Sequence, residues 1–312
     1  MDNSALFINK TTSISHEPVK INKKNNDNKE IVLASINAQI GWLPQASLRL
    51  KDDKDVVLAA IKNDDNAFRY ASDRLKDDKD FVKLIVSIDG MSLSNASDRL
   101  KGHIEVVLSA VKNEGGAIFF ASPELKKQKT LALEAVKQNG HALNFIEPEL
   151  KEDHDILLAA IEQNGRAIQY FPENFKNNEM YAYIAVKNHV DSIDYLNDSL
   201  LNNIDFAKKL VADNGLLLKY FGNKFINQQD LVMLAVTQNG LSLKFVSDTL
   251  ENYREVCFAA IKQNPVSLKF ASNEIIQDVA NFFVKHNENE LNNPNLESEV
   301  EKEVTKGINF KF

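Results

Sequence analysis

The chain has 312 residues, of which 44% are apolar and 26% are charged, and its formal net charge is −7. This composition is typical of a folded protein with a real core. A mildly acidic chain disfavours binding to a nucleic-acid backbone, which depends on dense Lys and Arg. A single cysteine, Cys257, excludes an intrachain disulfide. No apolar run approaches the roughly 18–20 residues that a membrane-spanning helix needs.

Residues 1–28 precede the regular part of the chain. Their start, MDNSALFINKTTSISHE, lacks the basic stretch and long apolar run of a secretory signal peptide, so we expect none. Residues 22–28 (NKKNNDN) are polar and low in complexity, which predicts disorder. We therefore expect residues 1–28 to be disordered or loosely packed.

From residue 29 to residue 278 the sequence repeats ten times with a fixed period of 25 residues. Three aligned repeats read KDVVLAAIKNDDNAFRYASDRLKDD (54–78), HDILLAAIEQNGRAIQYFPENFKNN (154–178) and REVCFAAIKQNPVSLKFASNEIIQD (254–278). Such a period indicates units that bury their apolar faces by stacking on their neighbours. We number the repeats one to ten and the positions within each repeat 1 to 25.

The first half of each repeat predicts a regular helix. Positions 3, 4, 7 and 8 are apolar and share one face of an α-helix, and position 7 is usually Ala. Acids at position 2, such as Asp55 and Glu105, suit a first turn whose free N–H groups favour negative charge. Asn-Gly pairs such as Asn139-Gly140 predict the helix end, with glycine in the left-handed conformation.

The second half of each repeat predicts a short helix from apolar positions 15, 17, 18 and 22. Position 17 is aromatic in eight repeats, and this constancy predicts a buried ring. Ser at position 19, once followed by Pro as Ser122-Pro123, predicts an N-cap and one further helical turn. The predicted fold is therefore all-α: an α-solenoid over residues 29–278 with one regular helix and one short helix per repeat.

The sequence after residue 278 predicts two further segments. Residues 278–287 (DVANFFVKHN) look like the start of another first helix, which predicts a C-terminal capping helix over residues 279–291. Residues 292–312 are polar and predict a flexible acidic tail. Its glutamates resemble the C-terminal signal of effectors carried by bacterial type IV secretion systems. The candidate secretion signal is Glu297, Glu299, Glu301 and Glu303.

The repeat pattern acid-V-V-L-A-A-V-K-Q-N-G-x-A-L-x-F-A-S-x-E-L-K resembles an uncharacterised helical repeat family, domain of unknown function 4116. The best matches are residues 105–126, 131–151 and 155–176. The resemblance implies tandem helical repeats, commonly in proteins of intracellular bacteria and protists, and it implies no known catalytic residues. Repeats one, seven and eight depart most from the pattern; for example, His189-Val190 replaces Asn-Gly.

Residues with catalytic or metal-binding potential do not form a recognisable motif. Cys257 stands at position 4, which is apolar in the other repeats, so it predicts a core residue. The six histidines occupy different positions and form no HxxH, HExxH or Cys/His cluster. There is no glycine-rich phosphate loop and no G-x-S-x-G elbow. We predict no catalytic residue, no metal site and no cofactor.

Two basic ladders are a second consequence of the repeat. Arg49, Arg74 and Arg99 recur at position 21, and Lys is common at position 23. Acids at position 2 of the following repeat come soon afterwards along the chain. We therefore predict charge pairing between neighbouring repeats instead of an open basic surface.

Binding surfaces of solenoids lie where exposed positions vary between repeats. Positions 13 and 16 vary most, and position 23 changes from Lys to Leu201, Ile226 and Ile276 late in the array. That change fits either an interface or local packing. The candidate partner-binding residues are Met91, Phe119, His141, Arg166, Gln169, Asp191, Asp194, Leu201, Leu216, Lys219, Ile226, Lys244 and Lys269.

These features support three functional hypotheses. The first is a non-enzymatic protein–protein interaction scaffold, a bacterial effector that leaves the bacterial cytoplasm by a type IV-like route and binds a host protein. The second is an enzyme whose site spans repeats seven and eight and uses His189, Asp191 and Asp194, which predicts a deep pocket there. The third is an RNA-binding helical repeat, which buried aromatics would disfavour. We expect a protein partner, and the sequence does not indicate an oligomeric state.

Overall fold

The computed structural model describes residues 20–39, 42–225 and 227–289, without the side chains of residues 222–224 and 282–289. These residues form two compact blocks, an N-terminal block that ends at Leu150 and a C-terminal block that begins at Lys151. The described residues are built from helices and contain no strand. The proposed secretion signal (Glu297, Glu299, Glu301 and Glu303) and the candidate Ile226 lie outside the described residues.

Each repeat begins with the predicted regular helix, so the all-α repeat solenoid is confirmed. Positions 3, 4 and 8 are buried in most repeats, as in Val106, Val107 and Val111 of repeat four. The first helices are Lys29–Asn37, Lys54–Ile61, Lys79–Ile88, Ile104–Asn113, Lys129–Gln138, His154–Gln163, Glu179–Asn188, Ile204–Asp213, Gln229–Gln238 and Tyr253–Gln263.

In the second half of the repeats the predicted short helix is a 3-10 helix, and in repeats one to seven the predicted further turn follows it as a separate element. The 3-10 helices are Leu43–Gln45, Asp65–Tyr70, Gly90–Asn95, Gly115–Phe120, Gly140–Phe145, Gly165–Tyr170, Val190–Tyr195, Gly215–Leu217, Gly240–Phe245 and Pro265–Phe270. The single turns are Leu48–Lys51, Asp73–Lys76, Asp98–Lys101, Pro123–Lys126, Glu173–Lys176 and Asp198–Leu201, with a 3-10 turn at Pro148–Glu152. Repeat eight instead continues into the α-helix Leu218–Phe225.

Polar side chains cap the start of many of the helices. Asn239 at position 11 accepts a hydrogen bond from the N–H of Leu241 (3.1 Å) and so caps the 3-10 helix that follows. Ser72 at position 19 accepts from the N–H of Leu75 (3.2 Å) at the next single turn. The predicted serine caps are present at Ser47, Ser72 and Ser97 but not at Ser122, whose side chain makes no cap hydrogen bond. The Asn of each Asn-Gly pair starts a new helix as well as ending the previous one.

The glycines at position 12 do not adopt the predicted left-handed conformation, since no glycine in the described part of the chain has a positive φ. They are needed for close packing. A Cβ at Gly115 would come within 3.0 Å of the carbonyl oxygen of Ala135, which stands at position 7 of the next repeat. The 3-10 helix thus rests on the backbone of the next first helix, which explains both the glycine and the alanine.

An amide side chain at position 10 ties neighbouring repeats together. Gln138 donates from Nε2 to the carbonyl oxygen of Asn113 (2.9 Å) and accepts at Oε1 from the N–H of Gly115 (2.6 Å). Gln238 makes the equivalent bonds to Asp213 (2.9 Å) and Gly215 (2.6 Å). These bonds satisfy backbone groups at a helix end that have no partner within their own helix.

Both ends of the repeat array differ from the sequence-based expectation. Residues 23–27 form a turn in which Asp27 accepts hydrogen bonds from Ser47 and Arg49, so this part of the expected disordered segment is packed on repeat one. It supplies the acid that a preceding repeat would supply. At the other end, the expected capping helix is part of a longer helix, Asn273–Asn289, that begins within repeat ten.

Candidate interaction surface

Within each block the 3-10 helices place positions 13 and 16 on an exposed surface, because side chains three residues apart eclipse each other in a 3-10 helix. The exposed candidates are Met91, Phe119, Arg166, Asp191, Asp194, Lys219, Lys244 and Lys269. The half-buried candidates are His141, Gln169, Leu201 and Leu216, together with Ile276. None of the described candidates belongs to the fully buried core.

The aromatic residues at position 17 are more exposed than the sequence predicts. Tyr70, Phe145 and Tyr195 are 37%, 36% and 38% exposed, and the others are half-buried. The reason is the 3-10 geometry, in which positions 15 and 18 share the buried face and position 17 falls at its edge. The rings therefore border the exposed surface formed by positions 13 and 16.

In the N-terminal block this surface carries an aromatic cluster. The Phe119 ring, which is 51% exposed, meets Phe120 (5.1 Å between centroids) and Phe145 (5.2 Å) in edge-to-face contacts. The ammonium group of Lys126 lies 5.2 Å from the centroid of Phe119. Phe119 is thus an exposed apolar contact residue held in place by its neighbours.

In the C-terminal block position 16 forms a lysine ladder, defined as Lys219, Lys244 and Lys269. Each ammonium group lies over the aromatic ring at position 17 of its own repeat, at 4.4, 4.6 and 4.8 Å from the centroid. Within the part of the chain that the structure describes, no carboxylate lies within ion-pair distance of these three groups. A hydrogen bond to Tyr220, aided by the nearby charges of Asp191 and Asp194, raises the pKa of Lys219.

The neighbouring repeat seven has the opposite charge. Asp191 and Asp194 occupy its positions 13 and 16, and both are exposed. Asp191 pairs with Arg166 of repeat six. The charge of this surface therefore changes along repeats six to ten. An Arg–Asp ion pair comes first, Asp194 follows without an ion-pair partner among the described residues, and three lysines come last.

The arginine ladder, Arg49, Arg74 and Arg99, pairs with different acids from those predicted. Arg74 Nε lies 2.9 Å from Asp52 and its Nη2 donates to the Asp52 carbonyl oxygen (2.9 Å); Asp52 also accepts from Ser72. The hydrogen bonds from Ser72 and then Arg74 lower the pKa of Asp52. The acid stands at position 24 of the preceding repeat, so pairing between repeats is confirmed and its predicted partner at position 2 is wrong.

The position-2 acids pair instead with lysines at position 1 of the preceding repeat. Lys29 Nζ lies 2.7 Å from Asp55, and Lys79 Nζ lies 2.9 Å from Glu105. In the sequence, the signal for the arginine pairing was the joint occurrence of Asp at position 24 with Ser and Arg at positions 19 and 21 of the next repeat. These charges are satisfied within the protein, so the arginine ladder is not a basic docking surface.

A cleft of about 330 Å³ lies between repeats seven and eight. It is lined by Val186, Lys187, Val190, Leu210, Asp213, Asn214 and Leu217. The three residues of the enzyme hypothesis, His189, Asp191 and Asp194, do not line it. Its polar groups are partly used by the fold, since the Tyr183 hydroxyl donates to Asp213.

The remaining candidates for chemistry are the thiol of Cys257 and the side chains that could bind a metal. Cys257 is fully buried, as predicted, and this burial raises the pKa of its thiol to about 11. Among the described residues no three His, Cys, Asp or Glu side chains come together as metal ligands would. In that same part of the chain, no helix has the length and apolar character to cross a membrane.

The fold and surface together define a tandem helical repeat protein with a constant core and an exposed surface that changes from repeat to repeat. The chain belongs to the family described as Domain of unknown function (DUF4116), which matches residues 28–76, 78–126, 128–176, 153–201 and 229–276. The third and fourth matches start one 25-residue repeat apart, and repeat eight lies outside all five. No curated protein and no solved structure matches the chain.

Proposed function

We propose that this protein is a non-enzymatic scaffold that binds another protein through positions 13 and 16 of its repeats. The observation that carries the proposal is the contrast between the two kinds of position. Positions 3, 4 and 8 keep the same apolar character in every repeat, whereas positions 13 and 16 are exposed or half-exposed and change in charge and shape. Variation at exposed positions of a repeat protein beside a constant core is typical of partner recognition.

The second part of the proposal concerns the identity of the partner and the cell in which binding takes place. The scaffold is an effector of bacterial origin, delivered by a type IV-like route, and its partner is a host protein. Support comes from the sequence, in which the glutamate-rich tail resembles a secretion signal. Deleting residues 292–312 should abolish delivery into host cells while leaving partner binding in solution unchanged. Delivery that survives the deletion contradicts this route.

Affinity capture from host lysate tests the scaffold proposal. The captured protein is identified by mass spectrometry, purified, and titrated against the wild-type chain and a variant with Met91→Asp, Phe119→Asp and Arg166→Glu. We expect saturable binding that this variant weakens by about tenfold or more, since a few central contacts carry most of an interface. The control replaces Lys112, Lys137 and Lys262 with Glu at exposed position 9. No saturable partner, or equal loss in the control, contradicts the proposal.

A further inference from the structure

Repeats eight, nine and ten carry the same chemistry at their exposed positions, unlike the repeats before them. Position 13 is apolar in all three (Leu216, Leu241 and Val266), and position 16 is the lysine ladder. Val266 is 55% exposed, and the other two are half-buried. Positions 13 and 16 eclipse in the 3-10 helices of repeats nine and ten, and in repeat eight Lys219 follows Leu216 by three residues at the start of the α-helix Leu218–Phe225, so each repeat presents an apolar residue beside an ammonium group. Three consecutive repeats with the same pair of side chains suit a ligand that repeats its own chemistry three times.

The ligand class follows from the charges and from the rings. Three lysines without a carboxylate in ion-pair distance among the described residues favour an anionic partner. A nucleic acid would need aromatic faces on which to stack its bases. Here each position-17 ring carries its own lysine at 4.4–4.8 Å from the centroid, so that face is covered. The arrangement therefore favours an acidic peptide over a single-stranded nucleic acid.

The distance between the lysines of neighbouring repeats sets the distance between the carboxylates of the ligand. Packed helices lie about 8–10 Å apart, and the 3-10 helices of neighbouring repeats pack side by side. A polyproline II segment rises about 9.3 Å per turn of three residues. An acid at every third residue of such a segment would meet one lysine per repeat. The same three-residue period would place small apolar side chains against position 13.

We propose that the lysine ladder, with Leu216, Leu241 and Val266, is a docking site for an extended acidic segment of a partner protein that presents a carboxylate at every third residue. This inference rests on the proposed scaffold function and specifies the chemistry of the partner. Asp194 marks one end of the site, because a fourth carboxylate in register would meet its negative charge. The ladder thus accepts three carboxylates and rejects the next.

Fluorescence polarisation with the full chain and a labelled twelve-residue peptide, (Glu-Pro-Ala) repeated four times, tests the site. The control peptide has the same composition with its four glutamates consecutive. We expect the spaced peptide to bind more tightly than the control peptide. Replacing Lys219, Lys244 and Lys269 with Glu should weaken its binding by about tenfold or more. The matched variant Lys112→Glu, Lys137→Glu, Lys262→Glu has the same net charge and should bind like wild type.

A gain of affinity provides a test that loss of folding cannot imitate. Asp194→Lys adds a fourth rung, so the affinity for the spaced peptide should rise by about two- to fivefold. Equal binding of both peptides, an equal effect of the matched variant, tighter binding of a twelve-nucleotide oligouridylate, or no gain from Asp194→Lys would each overturn the inference. If the ladder variant leaves binding of the purified host partner unchanged, the inference fails and the scaffold function stands.

Discussion

The junction between repeats four and five is held by close backbone packing, whereas the junction between repeats seven and eight is held by larger side chains. At the first junction, Gly115 rests on Ala135, and Gln138 bonds to both sides of the contact. At the second, Val190, Leu210 and Asp213 occupy the same three positions, and a cleft of about 330 Å³ lies between the repeats. The first junction lies in the N-terminal block and the second in the C-terminal block.

The difference teaches that positions 12, 7 and 10 act as one set. A glycine allows close approach only if the facing residue is small, and only a close approach brings the amide within reach. Where Val190 or Asp65 replaces the glycine, the other two positions change with it, whereas Ile40 replaces the glycine in repeat one and repeat two keeps Ala60 and the amide Asn63. The complete sets are Gly115/Ala135/Gln138, Gly215/Ala235/Gln238 and Gly240/Ala260/Gln263, and the replaced sets are Val190/Leu210/Asp213 and Asp65/Ile85/Ile88.

The largest expected effect is at the replaced junction. Leu210 is 1% exposed, so Leu210→Ala should lower the free energy of unfolding by about 3 kcal/mol through the cavity it leaves. Adding Val190→Gly should recover about 1 kcal/mol or more, because glycine opposite alanine allows the close approach seen between repeats four and five. Urea denaturation of the two single variants and the double variant measures this coupling. Additive losses would show that the three positions are independent.

The next effect is at the close-packed junction. Gly115→Ala should lower the free energy of unfolding by about 2 kcal/mol, because the added Cβ collides with the backbone of the next helix. The adjacent Gly116 is a matched control, since nothing lies within 4 Å of a Cβ built there. Gly116→Ala should change stability by less than about 0.5 kcal/mol. Equal effects at the two glycines would mean that backbone entropy, and not packing, selects glycine.

The two hydrogen bonds of Gln138, which we call the amide clip, contribute less to stability than the packing of Gly115 on Ala135. Gln138→Ala leaves the Gly115 N–H and the Asn113 carbonyl without their side-chain partner, which should cost about 1 kcal/mol. Asp213→Ala, at the same position of the replaced junction, removes only an exposed hydrogen bond and should cost less than about 0.5 kcal/mol. Denaturant midpoints and hydrogen exchange at Gly115 check both values. Unchanged exchange at Gly115 in Gln138→Ala would contradict the clip.

The sequence predicts the features that depend on local periodicity. The apolar spacing of positions 3, 4, 7 and 8 is sufficient for the first helix, and Ser72 has the cap role expected of its position. Features that depend on stacking were missed or misassigned. Gln138 bonds to a residue 25 positions away, and Arg74 bonds to an acid 22 positions before it. Neither partner is adjacent in the chain, so no local pattern identifies it.

The candidate surface shows the same division. The exposure of Lys244 and Phe119 could be predicted from the variation at positions 13 and 16. A single chain shows this variation because it contains ten repeats that can be aligned. The half-exposure of the position-17 rings required the 3-10 geometry, because an α-helix would have placed positions 15 and 18 differently. The placement of a lysine over the ring that follows it occurs in the 3-10 helices of repeats nine and ten and also in the α-helix of repeat eight. The binding role of these residues stays a prediction.

The smallest expected effect is a difference between the two junctions in how their contribution to stability depends on pH. The amide clip of repeats four and five does not titrate, whereas the polar link of repeats seven and eight joins the Tyr183 hydroxyl to Asp213. This hydrogen bond, aided by burial, raises the pKa of Tyr183 in the folded state. A raised folded-state pKa means that the link stabilises the fold below the ordinary tyrosine pKa of about 10, and that this contribution is lost as pH rises through the folded value.

Tyr183→Phe should therefore be less stable than wild type at neutral pH, and the difference should vanish at strongly alkaline pH. Absorbance titration of tyrosinate should show several tyrosines with a raised pKa, because burial also raises the pKa of Tyr181 and Tyr253. Tyr183→Phe should remove one of them, and Asp213→Ala should shift the pKa of Tyr183 towards the ordinary value. Gln138→Ala should keep the same stability difference from wild type across this range, because no group in its clip ionises. Equal stability of Tyr183→Phe and wild type at neutral pH would mean that the ring, which lies 4.8 Å from Lys209 Nζ, acts through that contact, which phenylalanine keeps, and not through its hydroxyl.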